Sequence, residues 1–269
     1  MRTGNESALC HIILDVVYLR HMGELLKSQP LVEALCEFQF DFFGDNELIL
    51  PGLFYAQVKD DFPILTSVNE LSFQIGFGDL QNVPPITTPQ RLQLARQDSS
   101  AMIQLGQSIL IVNHLQPYIS WEVFRELIIK TFEKYVGLCS VFTLKRIGLR
   151  YINHITPSLK EGFKIDDFLT ILPLFPKPLD RSMSGFQQTY EFIYDSPSSS
   201  LFHKTGIAVK PDGETILVLD LDFISQQVEN FQDVPKTYEW LIEWLNKAHD
   251  HIEAAFISSL NPSYYESLK

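Results

Sequence analysis

The chain has 269 residues, of which 45% are hydrophobic, 12% aromatic and 20% charged, enough apolar material for a large core without disulfide or metal staples. A formal net charge of -12 opposes general attraction to phosphate backbones and anionic lipid, so neither nucleic acid nor a membrane is expected as a partner. Cys10, Cys36 and Cys139 form no C-x-x-C pair, which argues against a thiolate metal site and for a reducing, cytoplasmic setting.

Residues 1–28 read as an N-terminal extension, with helix as one reading of it and Met22 as an alternative start. Its apolar stretch from Ala8 to Leu19 is broken by His11 and Asp15, too short for a span and poor as an export signal. Leu31 to Phe43 alternates, with Phe38, Phe40 and Phe42 on one side and Glu37, Gln39 and Asp41 on the other, which predicts a half-buried strand. Leu50 to Phe62 reads as a helix, with Pro51 near its start and Pro63 just past its end. Strands are expected at Glu70–Gly76, Arg91–Gln97, Ala101–Leu105 and Ser108–His114, with joints short enough for antiparallel hairpins. Ser120 is placed to cap a helix that ends at Gly137 and carries Phe124, Ile128, Phe132 and Tyr135 on one stripe.

The second half repeats the order. A strand is expected over Phe142–Ile155, a short helix over Ile165–Leu172, and strands over Gly185–Tyr194, Leu201–Val209 and Thr215–Phe223. A long helix then runs from beyond Asp233 to about Leu260, before Pro262. The expected class is α+β, with antiparallel sheets packed on long helices as two similar β-α-β-β-β-α halves, 29–140 and 141–269, sharing one core. Coincidence of element order is the competing reading of that repeat.

Six residues stand out as site candidates. Arg146 and Arg150 lie on one face of a strand, roughly 13 Å apart, and either guanidinium could fork onto a carboxylate or phosphate. The competing reading pairs them with acidic groups of adjacent strands. Asp220 and Asp222 also share a strand face and are the minimum for a divalent-cation site, or else face solvent or those arginines. His154 ends the arginine face. His249 lies on the stripe of the last long helix, four residues before Glu253, and fits a hydrogen-bonded core histidine better than a metal ligand, while Asp250 and His251 are expected to face water. No G-x-S-x-G, Walker loop, G-x-G-x-x-G or H-E-x-x-H occurs, so no cofactor and no catalytic residues are assigned.

Several segments resemble a sporadically distributed prokaryotic family of about this length to which no activity is assigned. They are Pro30-Leu31-Val32-Glu33-Ala34, the run from Gln104-Leu105-Gly106 to Asn113, Tyr118 with Trp121-Glu122-Val123-Phe124, Arg146 through Asn153, Leu219-Asp220-Leu221-Asp222, and Asn246-Lys247-Ala248-His249. The resemblance spans about 29–260 and implies no mechanism; a patchy distribution implies an accessory or defence-related role. The expected function is therefore a non-catalytic interaction or binding protein that engages a protein partner or itself. The alternatives are a metal-dependent phosphate-ester hydrolase or nuclease using Asp220 and Asp222, and a binder of a small apolar ligand.

Overall fold

The computed structural model describes residues 26–42, 49–68, 91–138, 142–156, 164–173, 185–194, 198–210, 213–226 and 234–269. The N-terminal extension up to residue 25 and the strand expected over Glu70–Gly76 lie outside them. The described residues form one antiparallel sheet of nine strands and four α-helices, an α+β architecture. The strands are β1 (Leu31–Phe42), β2 (Ile64–Val68), β3 (Arg91–Ala95), β4 (Ala101–Gly106), β5 (Ile109–Leu115), β6 (Phe142–Ile155), β7 (Gln187–Tyr194), β8 (Ser199–Val209) and β9 (Thr215–Gln226). The helices are α1 (Leu50–Val58), α2 (Trp121–Val136), α3 (Val234–Ser259) and α4 (Pro262–Leu268).

Across the sheet the order is β2-β3-β4-β5-β1-β6-β9-β8-β7. The two strands that open the expected halves, β1 and β6, therefore meet at the centre. Each is flanked by the strand that closes its own half, β5 or β9, and earlier strands follow outward. One row of side chains crosses the sheet from Leu65 through Leu94, Ile103, Val112, Cys36, Leu149, Phe223 and Leu201 to Phe192. Every member is apolar, the inner seven are buried, and the two at the edges are exposed. Period-two alternation puts this row on the face that the helices cover. There Phe38 lies 4.8 Å from Phe132 and Phe40 5.4 Å from Tyr135, both partners on α2, while Phe54 of α1 meets Tyr135 edge-on at 5.5 Å.

Local chemistry explains the helix ends. The Ser120 hydroxyl accepts from the Val123 N–H at 3.4 Å at the start of α2. α3 stops before Pro262, which then serves as an early residue of α4, where its missing N–H costs nothing, and Asn261 caps that helix by accepting from Ser263. The Ser28 N–H donates to the Leu268 carbonyl at 3.1 Å and ties the chain before β1 to the end of α4. No helix among the described residues is long and apolar enough to cross a membrane.

Two local expectations change. In place of a helix over Ile165–Leu172 there is only a 3-10 turn at Ile165–Asp167. Thr170 donates instead to Ser259, and Phe168 accepts from Asn261, so the backbone is spent on the α3–α4 joint rather than on a helical ladder. β2 was not expected: five residues with four exposed carry no clear alternation.

Candidate functional site

Period two places Arg146, Gly148, Arg150, Ile152 and His154 of β6 on the face away from the helices. The strand partners bring carboxylates to them from both sides. On the β9 side, Arg150 grips Asp220 with two parallel hydrogen bonds, Nε to Oδ1 at 2.7 Å and Nη2 to Oδ2 at 2.6 Å. Asp222 stands opposite Arg150 in register, and its carboxylate lies 3.8 Å from Arg146 Nη2. On the β1 side, Arg146 Nη1 donates to Glu37, which also accepts from Gln39 at 2.8 Å. Lys204 of β8 adds a cation 3.8 Å from Asp220.

The residue between the arginines matters for this geometry. A Cβ on Gly148 would stand 3.4 Å from both terminal nitrogens of Arg146 and 3.3 Å from Ile224, so the guanidinium lies over the bare glycine on its way to Glu37. Burial raises the Asp222 carboxyl above its ordinary range against the opposing pull of Arg146 and Arg150, whereas the hydrogen bonds to Asp220 hold the Arg150 guanidinium more firmly charged. Asp220 is only 7% exposed. Chemically, these four candidates come together in an ion-pair network: Arg150 and Asp220 are spent on one another, Arg146 bonds Glu37, and Asp222 lies at ion-pair distance from Arg146. Both Asp220 oxygens face Arg150, and among the described residues no group of three or more His, Cys, Asp or Glu side chains gathers to hold a metal ion.

The histidine candidates separate. His154 sits at the end of the arginine face, where burial and nearby Lys210 lower its ring pKa. His249 lies on the helix side of the sheet, stacked 4.3 Å from Trp121 at an interplanar angle of 7°. The Tyr151 hydroxyl is 3.0 Å from its Nδ1, and the Tyr118 hydroxyl is 3.3 Å from that of Tyr151. Burial lowers the His249 pKa to about 4, with Glu122 opposing and Arg125 assisting, and burial raises both phenols. A neutral imidazole can therefore accept from Tyr151, which accepts in turn from Tyr118. This chain borders a pocket of about 120 Å³ that Pro30, Glu253 and Phe256 also line. Asp250 is exposed as expected, but His251 is half-buried, 5.1 Å from Phe223 and 4.4 Å from Tyr194.

Sequence reasoning missed the arginines' partners on β1. Their signal was present: Glu33 and Glu37 have the four-residue spacing of Arg146 and Arg150 and share their sheet face. It missed His203 and Tyr151 as well, since one polar residue in an alternating strand does not announce its neighbour. The chain matches no protein-family model, no curated protein and no solved structure.

Proposed function

We propose that this protein is a non-catalytic interaction protein that associates with a second copy of itself through the β7 edge of its sheet. The observation that carries this reading is the character of that edge. Among the described residues β7 pairs on one side only, and Tyr190, Phe192 and Ile193 are 39%, 47% and 85% exposed. Edge strands are ordinarily blunted by charge, proline or brevity. β7 has eight residues, no proline and a single charge, Glu191, whose carboxylate accepts from Ser200. Paired antiparallel with itself about Tyr190, the strand sets Glu191 opposite Thr189, so no like charges face one another and the aromatic residues share one face. Sedimentation of the wild type and of Ile193→Lys tests this. A dimer that the substitution converts to monomer is expected; a wild type that stays monomeric at high micromolar concentration overturns the reading.

The hydrolase reading is weaker because Arg150 occupies both oxygens of Asp220. We further read the halves 29–140 and 141–269 as copies of one unit. Supporting this are the mirrored strand order about β1 and β6 and the positive-φ serines in corresponding turns, Ser99 at 59° and Ser198 at 39°. The absence of any C-x-x-C pair and the buried, reduced Cys36 support a cytoplasmic setting.

A further inference from the structure

We propose that the cleft between β7, β8 and the C-terminal part of α3 binds a small uncharged molecule with an aromatic or aliphatic body and one O–H or N–H donor. The cleft has a volume of about 260 Å³, and Ile171, Phe192, Leu201 and Ala255 supply its apolar walls. A cavity of roughly 150 Å³ already accepts a benzene ring, so a bicyclic ligand fits. Two histidines, His203 and His251, also line it, and each has a buried ring nitrogen with no hydrogen-bond partner among the described residues, Nδ1 of His203 and Nε2 of His251.

The local bonding fixes what His203 offers. Ser259 spends its one hydroxyl hydrogen on the Ala255 carbonyl, 2.6 Å away, so toward His203 Nε2 at 2.7 Å it can only accept. Nε2 therefore carries the ring proton, and Nδ1 presents a bare lone pair. His203 is 2% exposed, and an unpaired acceptor so deeply buried is costly enough to call for a donor. Burial lowers the pKa of both rings, which keeps them neutral near pH 7. No Asp, Glu, Lys or Arg is among the residues that line the cleft, so nothing there would balance a charged ligand. The position corresponding to His203 in the first half of the sheet is Leu105, a buried core residue.

Indole and its donor-free isostere indene provide the test on the full chain. Indole is expected to shift the imidazole nitrogen resonances of His203 and His251 and to bind about tenfold more tightly than indene, the worth of one buried hydrogen bond. Ala255→Leu, which fills the cleft, is expected to abolish both; its thermal unfolding is followed alongside. The wild-type resonances decide the matter should that variant fold poorly. Absence of any histidine shift at saturating indole overturns the proposal, as does equal affinity for indole and indene.

Discussion

The two halves of the sheet repeat one strand order and finish it differently. In the first, the outer strands β3 and β4 carry Leu94, Ile103 and Leu105, and α1 adds Leu50, Phe54 and Val58 to the same buried cluster. In the second, the corresponding strands β7 and β8 carry Phe192, Leu201 and His203, and the described residues leave Phe192 exposed beside a cleft. The opposite face differs in the same sense. On the first side Glu33 is met by the amide of Asn113, at 2.5 Å, and Asn113 by Gln104 at 3.1 Å. On the second side the arginines are met by Asp220 and Asp222, and Lys204 stands 3.8 Å from Asp220. A shared topology thus constrains the backbone and the central rows, whereas the periphery can be closed for stability or left for binding.

Truncation should separate the halves most. Phe54→Ala removes a fully buried ring and is expected to cost about 3–5 kcal/mol, whereas Phe192→Ala at the exposed edge should cost under about 1 kcal/mol. Urea unfolding measures both, and comparable losses would mean that the second periphery is as tightly packed as the first.

The next contrast is ionic against neutral. Asp220→Ala leaves the Arg150 guanidinium half-buried without its fork and is expected to lose roughly 2–3 kcal/mol, less than a fully buried pair because Arg150 keeps some solvent. Asn113→Ala, on the neutral side, should lose about 1–2 kcal/mol. The Asp220→Ala, Arg150→Met double variant should recover much of the first loss; a double variant no better than the single would show that the fork is not what Asp220 supplies.

Acid should weaken the second half first. The folded pKa of His249 is lowered to about 4 from an ordinary 6.5. As pH falls through that window the unfolded chain takes up a proton that the folded chain refuses, so stability falls, by roughly 3 kcal/mol from this residue. Burial lowers His203 and His251 in the same direction, while His114 is the counterpart in the first half. Hydrogen exchange at pH 4.5 should therefore show protection lost in β8, β9 and α3 before β4 and β5, and His249→Gln should flatten the pH dependence. Uniform loss across the sheet would contradict this division.

The smallest effect is expected at the centre. Gly148→Ala brings a methyl against Arg146 and Ile224 at 3.3–3.4 Å, contacts that a side chain can relieve, so the cost should stay below about 1 kcal/mol. A larger loss would place the Arg146–Glu37 contact at the heart of the β1–β6 junction.

Several features were legible without coordinates. β6 was expected and found over Phe142–Ile155, β1 is found over Leu31–Phe42 with the last expected residue, Phe43, outside the described residues, and Ser120 caps the helix it was expected to cap. These rest on period-two alternation, helical spacing and capping chemistry, which act within a few residues along the chain. The shared faces of Arg146 with Arg150 and of Asp220 with Asp222 followed from the same periodicity. That the two pairs meet did not, because pairing depends on β6 lying beside β9, a neighbour reached only through the whole second half. The turn at Ile165–Asp167 was misread for a related reason: just after it, Phe168 and Thr170 bond Asn261 and Ser259 at the α3–α4 joint, almost a hundred residues away. The sequence by itself determined most of the strands, the longer helices and the buried stripes. Only the tertiary structure decided which charges neutralise one another and which buried nitrogens stay unpaired, because those depend on the order in which strands are laid side by side.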